Sequence, residues 1–297
     1  MDDRTAPFGR LLTAVISPFD AAGAVDYETF SRLVEYLGDN GTEGVVVCGT
    51  TGESPTLSPD EKVMLFRTAV DAVGSTMTVI AGTGTYNTAE SVELTERAAA
   101  AGCDGVMAVT PYYSKPPQEG LYRHFTAIAE ATDLPVLLYN VPGRTSRLIE
   151  VDTLVRLAAH PGIVAVKDAV DDIEFTRQSL ARLPDDFAVY AGSDFMLKDI
   201  VLAGGVGVVS VASHLVGPQL ARLLDASVAG DVPQAEKIHD ALMPVFDALF
   251  AEPNPIPVKA AVNRWWAPVG DPRLPLIPAA ESTLELVERG LEAAAAV

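Results

Sequence analysis

The run MTVIA at residues 77–81, followed by a helix-like segment and then by GVMAV at residues 105–109, decides the fold. Both runs are apolar at consecutive positions, a pattern that is typical of parallel strands buried on both faces. Two such runs joined by a helix form one unit of a parallel sheet. This stretch therefore predicts a strand, a crossover helix and a neighbouring parallel strand.

The same unit recurs along the whole chain. Six further apolar runs lie at Leu11–Ile16, Gly44–Cys48, Pro135–Tyr139, Ile163–Val166, Phe187–Ala191 and Val206–Val211. Neighbouring runs begin roughly 20 to 33 residues apart, a spacing that indicates a repeated supersecondary unit. Eight strand–helix units close a barrel, whereas five or six indicate an open sheet. We therefore predict an α/β fold, a (β/α)8 TIM barrel that forms the catalytic domain over residues 1–230.

The pattern changes after the eighth run. Residues 231–297 contain helical segments that are interrupted by the Pro-rich stretch at 252–257 and by Asp271-Pro272. No linker-like stretch separates these segments from the barrel. We predict that residues 231–297 form a C-terminal helical extension packed on the barrel.

Two segments between the runs carry clear helix signals. Ser58 and Glu61 have the spacing of a capping box, with Pro59 at the first helical position. The segment before the second run has an apolar stripe at helical spacing, which predicts a helix that covers the outside of the barrel. The stripe consists of Tyr27, Phe30, Leu33, Val34 and Leu37.

Composition and charge exclude several classes of partner. The chain has 297 residues, of which 40 are acidic and 21 basic, giving a formal charge of −19. Such a field repels nucleic-acid phosphates and anionic membranes, so we expect neither as a partner. No apolar run reaches the ~20 residues of a membrane span. Because Met1-Asp2-Asp3-Arg4 lacks the features of a signal peptide, we expect a cytoplasmic protein whose two cysteines are buried free thiols.

Metal and dinucleotide signals are absent from the sequence. The four histidines have no ligand spacing, and the two cysteines form no pair that could hold zinc. Gly205-Val206-Gly207 leads into an apolar run rather than following one, which argues against a dinucleotide-binding motif. We expect no metal and no external cofactor.

Chemistry in such barrels is found at the carboxyl ends of the strands, so the residues that follow each run are the candidates. Gly49-Thr50-Thr51 follows the second run, and Tyr112-Tyr113 follows the fourth. Tyr139 ends the fifth run, with Arg144 five positions later. Each fragment alone has an ordinary explanation: a tight turn, packing or interface tyrosines, or a surface ion pair.

Lys167 directly follows the sixth apolar run. A charged ammonium loses hydration at the end of a buried strand, and desolvation lowers the pKa of a lysine towards neutrality. The resulting free amine can attack a ketone. The structural alternative is a lysine that pairs with Asp168 or another carboxylate. An amine, a phenol, hydroxyls and a guanidinium on one rim together indicate a Schiff-base lyase for keto acids.

With these residues in place, the chain resembles the dihydrodipicolinate synthase family (4-hydroxy-tetrahydrodipicolinate synthases), within the pyruvate-dependent class I aldolases. The similarity covers essentially the whole chain. Five blocks match the family in order, at residues 49–54, Tyr112-Tyr113, 139–145, 166–168 and 252–259. Five matches in order are far more specific evidence than one match. The resemblance implies condensation of pyruvate with L-aspartate 4-semialdehyde in the diaminopimelate route to lysine.

The resemblance also implies a role for each catalytic residue. Lys167 is expected to form the imine with pyruvate, and Tyr139 to act as the acid/base. Thr50 and Tyr113 are expected to complete a hydroxyl relay with Tyr139. In this family the tyrosine matching Tyr113 comes from the neighbouring subunit, which implies a homo-oligomer, a tetramer built as a dimer of dimers.

The substrate-binding residues implied by the resemblance are Thr51, Arg144, Gly192 and Val209. The Thr51 amide is expected to hold the pyruvate carboxylate, and Arg144 the carboxylate of the second substrate. Gly192 and Val209 match backbone positions that line the site. Because both substrates are anions, we expect a locally basic or neutral mouth, with Asp171, Asp172 and Glu174 on outward helical faces.

Regulation is where the chain departs from lysine-inhibited relatives, whose allosteric pocket uses histidines and an asparagine. The matching positions here are Pro59, Lys62 and Tyr86, whereas Glu90 and Tyr112 still fit. A further cation at Lys62 disfavours a bound lysine ammonium. We therefore expect weak or absent feedback inhibition by lysine.

Two other functional classes stay open on the sequence alone. One is a sister pyruvate-type aldolase, such as N-acetylneuraminate lyase or a 2-keto-3-deoxy sugar acid aldolase, which keeps Lys167 and Tyr139. Those relatives usually lack the arginine that matches Arg144, so Arg144 favours an acidic second substrate. The other is a non-catalytic keto-acid-binding barrel, against which the intact Lys167, Tyr139, Thr50 and Tyr113 argue.

Overall fold

The computed structural model describes residues 5–297, and the Met1-Asp2-Asp3-Arg4 start on which the cytoplasmic expectation partly rests lies outside them. Within this range, the eight strands follow the eight apolar runs. Their bounds are β1 Leu11–Ala14, β2 Gly44–Val47, β3 Thr78–Gly82, β4 Gly105–Val109, β5 Val136–Asn140, β6 Ile163–Asp168, β7 Ala188–Ala191 and β8 Gly207–Ser210.

The strands form one closed barrel. All neighbours pair in parallel and in chain order, and β1 pairs with β8 to close the circle. Helices lie between the strands and after β8. They are α1 Tyr27–Asp39, α2 Pro59–Val73, α3 Thr88–Ala100, α4 Gln118–Glu130, α5 Pro142–Thr145, α6 Val151–Ala158, α7 Ile173–Leu180, α8 Leu197–Leu202, α9 Ser213–Val228, α10 Val232–Leu249, α11 Ile256–Trp265 and α12 Glu281–Ala294. The predicted (β/α)8 barrel with a C-terminal helical extension is confirmed.

Alternate side chains of each strand enter two different cores. In β5, Val136 and Leu138 pack against the helices outside, whereas Leu137 and Tyr139 join the cluster inside the barrel. This follows from the two-residue period of a strand, which turns successive side chains to opposite faces. An odd-numbered residue at the carboxyl end of β5 or β6 is therefore directed into the barrel at its catalytic rim.

The local helix signals are realised as expected. The Ser58 hydroxyl accepts from the Glu61 amide at 3.2 Å, and the Glu61 carboxylate accepts from the Ser58 amide at 2.8 Å, which completes the capping box of α2. In α1, the predicted stripe faces the outer core, with Phe30, Leu33 and Val34 fully buried. Cys48 and Cys103 are buried free thiols, as predicted.

The C-terminal helices lie against the barrel. Helix α10 packs on α9 and α12, and α11 contacts α9. Helix α10 begins at Val232, close to the expected boundary, but the division into domains 1–230 and 231–297 stays a prediction. Among residues 5–297, no helix is both long enough and apolar enough to cross a bilayer.

Candidate active site

Lys167 and Tyr139 lie side by side at the carboxyl rim of the barrel. They are register partners on β6 and β5, and the Lys167 Nζ lies 4.2 Å from the centre of the Tyr139 ring. Both side chains are 5% exposed. The apolar run was expected to end at Val166, but β6 continues through Lys167 to Asp168, where it still pairs with β7. Lys167 is thus held by the sheet and not by a loop.

Burial controls the charge of Lys167. Loss of hydration is the largest effect and lowers the pKa of Lys167 to about 7. The nearby Arg144 guanidinium also lowers this pKa, whereas the Asp194 carboxylate opposes the shift. A large fraction of the amine is therefore uncharged near neutral pH, which is the form that attacks a carbonyl.

The phenol of Tyr139 belongs to a short polar chain. Burial raises the pKa of Tyr139, while the Arg144 charge and a hydrogen bond with the Thr50 side chain lower it. The phenol is therefore protonated near neutral pH and shares a hydrogen bond with a hydroxyl that lies at the end of β2. This pairing allows a proton to pass between Tyr139 and Thr50.

The loop after β2 is fixed by the C-terminal segment. The Asn254 amide donates to the Thr51 hydroxyl at 3.0 Å. Two residues further along the loop, Glu53 forms an ion pair with Lys259 at 2.7 Å, with both side chains at most 1% exposed. The Arg273 amide also donates to the Glu53 carboxylate at 2.8 Å. The extension therefore positions the loop that carries Thr50 and Thr51.

Arg144 projects from the short helix α5, directly after β5. Its guanidinium lies 3.5 Å from the Asn254 carbonyl oxygen, and the residue is exposed. Five donors on a planar group suit a bound carboxylate.

A cavity of about 300 Å³ brings these residues together. An adjoining cavity of about 230 Å³ shares Thr50, Tyr139, Val141 and Arg144 with it. The polar and charged residues that line the first cavity are Thr50, Thr51, Tyr139, Arg144, Lys167, Asp171, Ser193 and Asn254. Five predicted side-chain positions therefore surround one space.

Gly192 also lines this cavity, beside Lys167. A Cβ atom at this position would lie 2.7 Å from the Ala169 Cβ and 2.9 Å from the Asp168 carbonyl oxygen. The close approach of the segments after β6 and β7 therefore requires glycine here.

Two predicted site residues do not line the cavity. Val209 is buried in the barrel interior, in the same cluster as Tyr139. Tyr113 is 93% exposed, and its backbone is in the left-handed region with φ 67°. Within the single chain, the Tyr113 phenol is thus separate from the other catalytic candidates.

The expectation that Asp171 faces outward on a helix is wrong. Helix α7 begins only at Ile173, and Asp171 lies in the preceding turn with φ 59°, where it lines the cavity. A left-handed residue departs from right-handed helical geometry, so helical periodicity does not describe this position.

Asp194 is a further residue that the sequence did not reveal. It is 1% exposed, and its carboxylate accepts from the Ser210 hydroxyl and from the amides of Val211 and Ala212. Its charge also acts on Lys167. Since Asp194 follows β7 by only three positions, the rule that strand ends carry function could have found it.

Metal ligation was tested on the described residues. Within residues 5–297, no group of three or more His, Cys, Asp or Glu side chains is arranged to hold a metal ion.

Comparison with known proteins places this geometry in a family. The model of the dihydrodipicolinate synthetase family matches residues 7–294. The chain belongs to this family.

Three relatives show how close the match is. The 4-hydroxy-tetrahydrodipicolinate synthase of Synechococcus elongatus is 50% identical over 274 residues, covering 92% of each chain. The crystal structure of a dihydrodipicolinate synthase from Bacillus anthracis is 47% identical, has a TM-score of 0.93, and matches 96% of this chain and 98% of its own. The synthase from Cyanidioschyzon merolae with lysine bound is 42% identical, with a TM-score of 0.96 over 99% of this chain and 100% of its own.

These matches confirm the predicted family. Curated relatives at about 50% identity over nearly full length are named 4-hydroxy-tetrahydrodipicolinate synthase, which supports a lyase of lysine biosynthesis over the sister sugar-acid aldolases.

Proposed function

We propose that this chain condenses pyruvate with L-aspartate 4-semialdehyde to form 4-hydroxy-tetrahydrodipicolinate. One observation carries the proposal: a buried amine, whose pKa burial lowers to about 7, lies against the Tyr139 phenol in a cavity that also holds Arg144. The relatives are named for the product 4-hydroxy-tetrahydrodipicolinate, and the family resemblance implies the two substrates. The cavity supplies groups that match the carbonyl and carboxylate chemistry of these substrates.

The reaction begins on Lys167. Its neutral Nζ adds to the pyruvate carbonyl carbon, and loss of water leaves an imine. Loss of a proton from the pyruvate methyl group then gives an enamine, whose carbon attacks the aldehyde of the second substrate. The amino group of that substrate, once deprotonated, attacks the imine carbon and closes the ring, and the carbon–nitrogen bond to Lys167 breaks.

Tyr139 moves the protons in these steps. Its phenol lies against the Lys167 amine and shares a hydrogen bond with the Thr50 hydroxyl, so it can give a proton to the departing hydroxyl group and recover it later. In our proposal the relay ends at Tyr113 of a neighbouring subunit. The 93% exposure of this side chain and its left-handed backbone support a contact across an interface.

Anion recognition is local. In our proposal the Thr51 amide holds the pyruvate carboxylate, Arg144 holds the carboxylate of the aldehyde, and the backbone at Gly192 borders the site. Val209 supports the site from the buried cluster that also contains Tyr139. The net charge of −19 opposes both anions at long range, but that field is screened over ~8 Å at physiological salt. Donors within a few ångströms therefore outweigh it.

The assembly we propose is a cytoplasmic homotetramer, built as a dimer of dimers, that uses no external cofactor. Each dimer interface would bring Tyr113 to the site of the partner. The covalent imine on Lys167 replaces the electron-withdrawing role that a cofactor or a metal supplies in other enzymes.

Reductive trapping tests the covalent step. Incubation with pyruvate and borohydride is expected to leave a 1-carboxyethyl group on the Lys167 amine, which adds the mass of pyruvic acid, less one water and plus two hydrogens, to the peptide that contains Lys167. Lys167→Ala is the control and should take up no label. A coupled assay with pyruvate and L-aspartate 4-semialdehyde, run beside one with sugar acids, tests the substrates; turnover of sugar acids alone would refute the proposal.

Subunit mixing tests the role of Tyr113. Tyr113→Phe and Lys167→Ala should each be nearly inactive. In a hybrid dimer, the site with an intact Lys167 receives an intact Tyr113 from the Lys167→Ala subunit. Activity should therefore return when the two variants are unfolded, mixed and refolded together, and no recovery would show that Tyr113 does not act across the interface.

A further inference from the structure

We propose that Asp171 recognises the ammonium group of the second substrate and so selects an amino aldehyde over the same aldehyde without nitrogen. This inference rests on the proposed function and assigns a specificity-determining role to a residue that the resemblance leaves without one. Asp171 lines the cavity that holds Lys167, Tyr139 and Arg144.

The cavity contains little negative charge. Among the described residues that line it, Asp171 is the only carboxylate, whereas Arg144 and Lys167 are basic. A substrate that carries one carboxylate and one ammonium on the same carbon presents both signs of charge within a few ångströms. Arg144 matches the first group and Asp171 the second.

The charges of Arg144 and Asp171 both act on the phenol of Tyr139. The Arg144 charge lowers the pKa of the Tyr139 phenol, and the Asp171 charge raises it. Both groups are therefore near the phenol that serves the reaction. Opposite charges near one catalytic group fix the orientation of a zwitterionic substrate, since reversing it would place like charges together.

Neighbouring carboxylates are already engaged. The Asp168 carboxylate accepts from the Thr176 hydroxyl at 2.7 Å and from the Val170 amide at 3.0 Å, and the side chain is buried. Asp194 is buried as well and holds the segment after β8 through three hydrogen bonds. Asp171 is exposed, so its oxygen atoms remain accessible to a ligand that enters the cavity.

The backbone holds Asp171 in a demanding conformation. Its φ of 59° lies in the left-handed region, which aspartate tolerates better than most residues but glycine adopts without cost. Asp172 then caps α7 by accepting from the amides of Glu174 and Phe175. The turn between β6 and α7 is thus anchored at both ends, and this fixes the position of Asp171.

The test measures discrimination between two aldehydes. Asp171→Asn removes the charge at constant size, and Asp171→Gly removes the side chain while favouring the same backbone. Both variants should raise KM for L-aspartate 4-semialdehyde by about 10- to 100-fold, because a hydrogen bond to a charged group is lost. KM for pyruvate should change by less than about threefold in either variant.

Succinate semialdehyde serves as the probe without an amino group. Its inhibition constant should stay unchanged or fall in both variants, since it has no ammonium to lose and its carboxylate gains from a less negative cavity. Asp172→Asn is the matched control: it makes the same charge change one residue away, and asparagine keeps the helix cap. In this control, KM for L-aspartate 4-semialdehyde, KM for pyruvate and the inhibition constant of succinate semialdehyde should all equal the wild-type values.

The outcomes separate the two proposals. If the wild type converts L-aspartate 4-semialdehyde but both Asp171 variants keep its KM, Asp171 does not bind the ammonium and the synthase assignment stands. A parallel loss of affinity for succinate semialdehyde or pyruvate would instead indicate a disturbed loop and would equally overturn the role. If the wild type forms the pyruvate adduct but never uses the amino aldehyde, both proposals fail.

Discussion

Lys167 faces Tyr139 across neighbouring strands, with its Nζ 4.2 Å from the centre of the phenol ring. The register of β5 and β6 creates this pair, because the two residues are direct partners on the rim where both strands end. Regular sheet geometry therefore positions the proposed nucleophile and its proposed acid/base with no need for a mobile loop.

The first prediction concerns pH. Burial lowers the pKa of Lys167 to about 7, so the reactive amine should accumulate as pH rises to that value and then reach a plateau. We expect the rate of borohydride-trapped adduct formation at fixed pyruvate to be half-maximal near pH 7. With an ordinary lysine, the rate of adduct formation would instead rise about tenfold per pH unit up to pH 9 or beyond, because the neutral fraction of its amine rises by that factor.

Arg144 provides a second readout of the same effect. Its positive charge lowers the pKa of Lys167, so Arg144→Ala should move the half-maximal pH upward. The same substitution should raise KM for L-aspartate 4-semialdehyde by about 10- to 100-fold and affect KM for pyruvate far less. If the pH profile moved downward or did not move, Arg144 would not act electrostatically on the amine.

The second prediction is that the catalytic lysine costs stability. In the unfolded chain the amine has a pKa near 10.4, so between about pH 7 and pH 10 the unfolded state binds more protons and stability rises with pH. Below about pH 7 the full cost of burial is present. Lys167→Met should therefore raise the free energy of unfolding by about 2–4 kcal/mol near pH 6.

The pH dependence distinguishes this cost from ordinary packing. The advantage of Lys167→Met should shrink as pH approaches about 9, because the wild-type amine is then neutral in the folded state and the free energy needed to remove its proton falls as pH nears the unfolded-state pKa of about 10.4. Urea unfolding of the wild type and of Lys167→Met at about pH 6 and about pH 9 measures this difference in the free energy of unfolding. A difference that does not depend on pH would contradict the assignment of the cost to the charge.

The third prediction concerns the proton relay. Tyr139→Phe should lower kcat by at least about 100-fold, since the donor beside the amine is lost while the cavity keeps its shape. Thr50→Val removes the hydrogen bond that lowers the pKa of Tyr139 and should reduce kcat by a smaller factor. Unchanged unfolding midpoints, measured in parallel, would show that both losses are chemical.

Most of the barrel could be predicted because strands that are buried on both faces have apolar residues at consecutive positions in the sequence. Eight apolar runs indicate eight strands, but the expected end of β6 at Val166 is two residues too early, because the strand ends at Asp168. In the sequence, the charged Lys167 ends the apolar run. In the structure, the backbone of Lys167 still pairs with Tyr190 of β7. Backbone pairing does not depend on the side chain, so composition alone misplaces such an end.

The contacts that support the site could not be predicted in the same way. Glu53 and Lys259 are 206 positions apart in the chain, and Thr51 and Asn254 are 203 apart. Each residue reads as an ordinary polar residue in its own segment. Their pairing depends on how the C-terminal helices pack on the barrel. No local sequence pattern predicts this packing.

The fourth prediction concerns that long-range support. Glu53 and Lys259 are buried, and Glu53→Gln would leave the Lys259 ammonium without its charge partner. We expect a loss of about 3–5 kcal/mol in the free energy of unfolding. The double variant Glu53→Gln with Lys259→Met should lose less than the sum of the single variants, since it also removes the stranded charge. Additive losses in a double-mutant cycle would show that the two residues do not interact.

The last prediction concerns feedback by lysine. Lys62 is 8% exposed and, with Pro59 and Glu90, lines a cavity of about 100 Å³. Burial lowers the pKa of Lys62, and the negative charge of Glu90 opposes this shift, so the two side chains already interact. The carboxylate that would attract a free lysine ammonium therefore has a cation beside it.

We expect millimolar lysine to leave most of the activity intact, measured in the coupled assay at subsaturating pyruvate. Lys62→His removes one competing cation at neutral pH and should make the enzyme more sensitive, because the negative charge of Glu90 is then offset less. Lys198→His, which changes a lysine outside this cavity in the same way, is the control and should not alter the response. Strong inhibition of the wild type at sub-millimolar lysine would show that Glu90 binds the effector even with Lys62 in place.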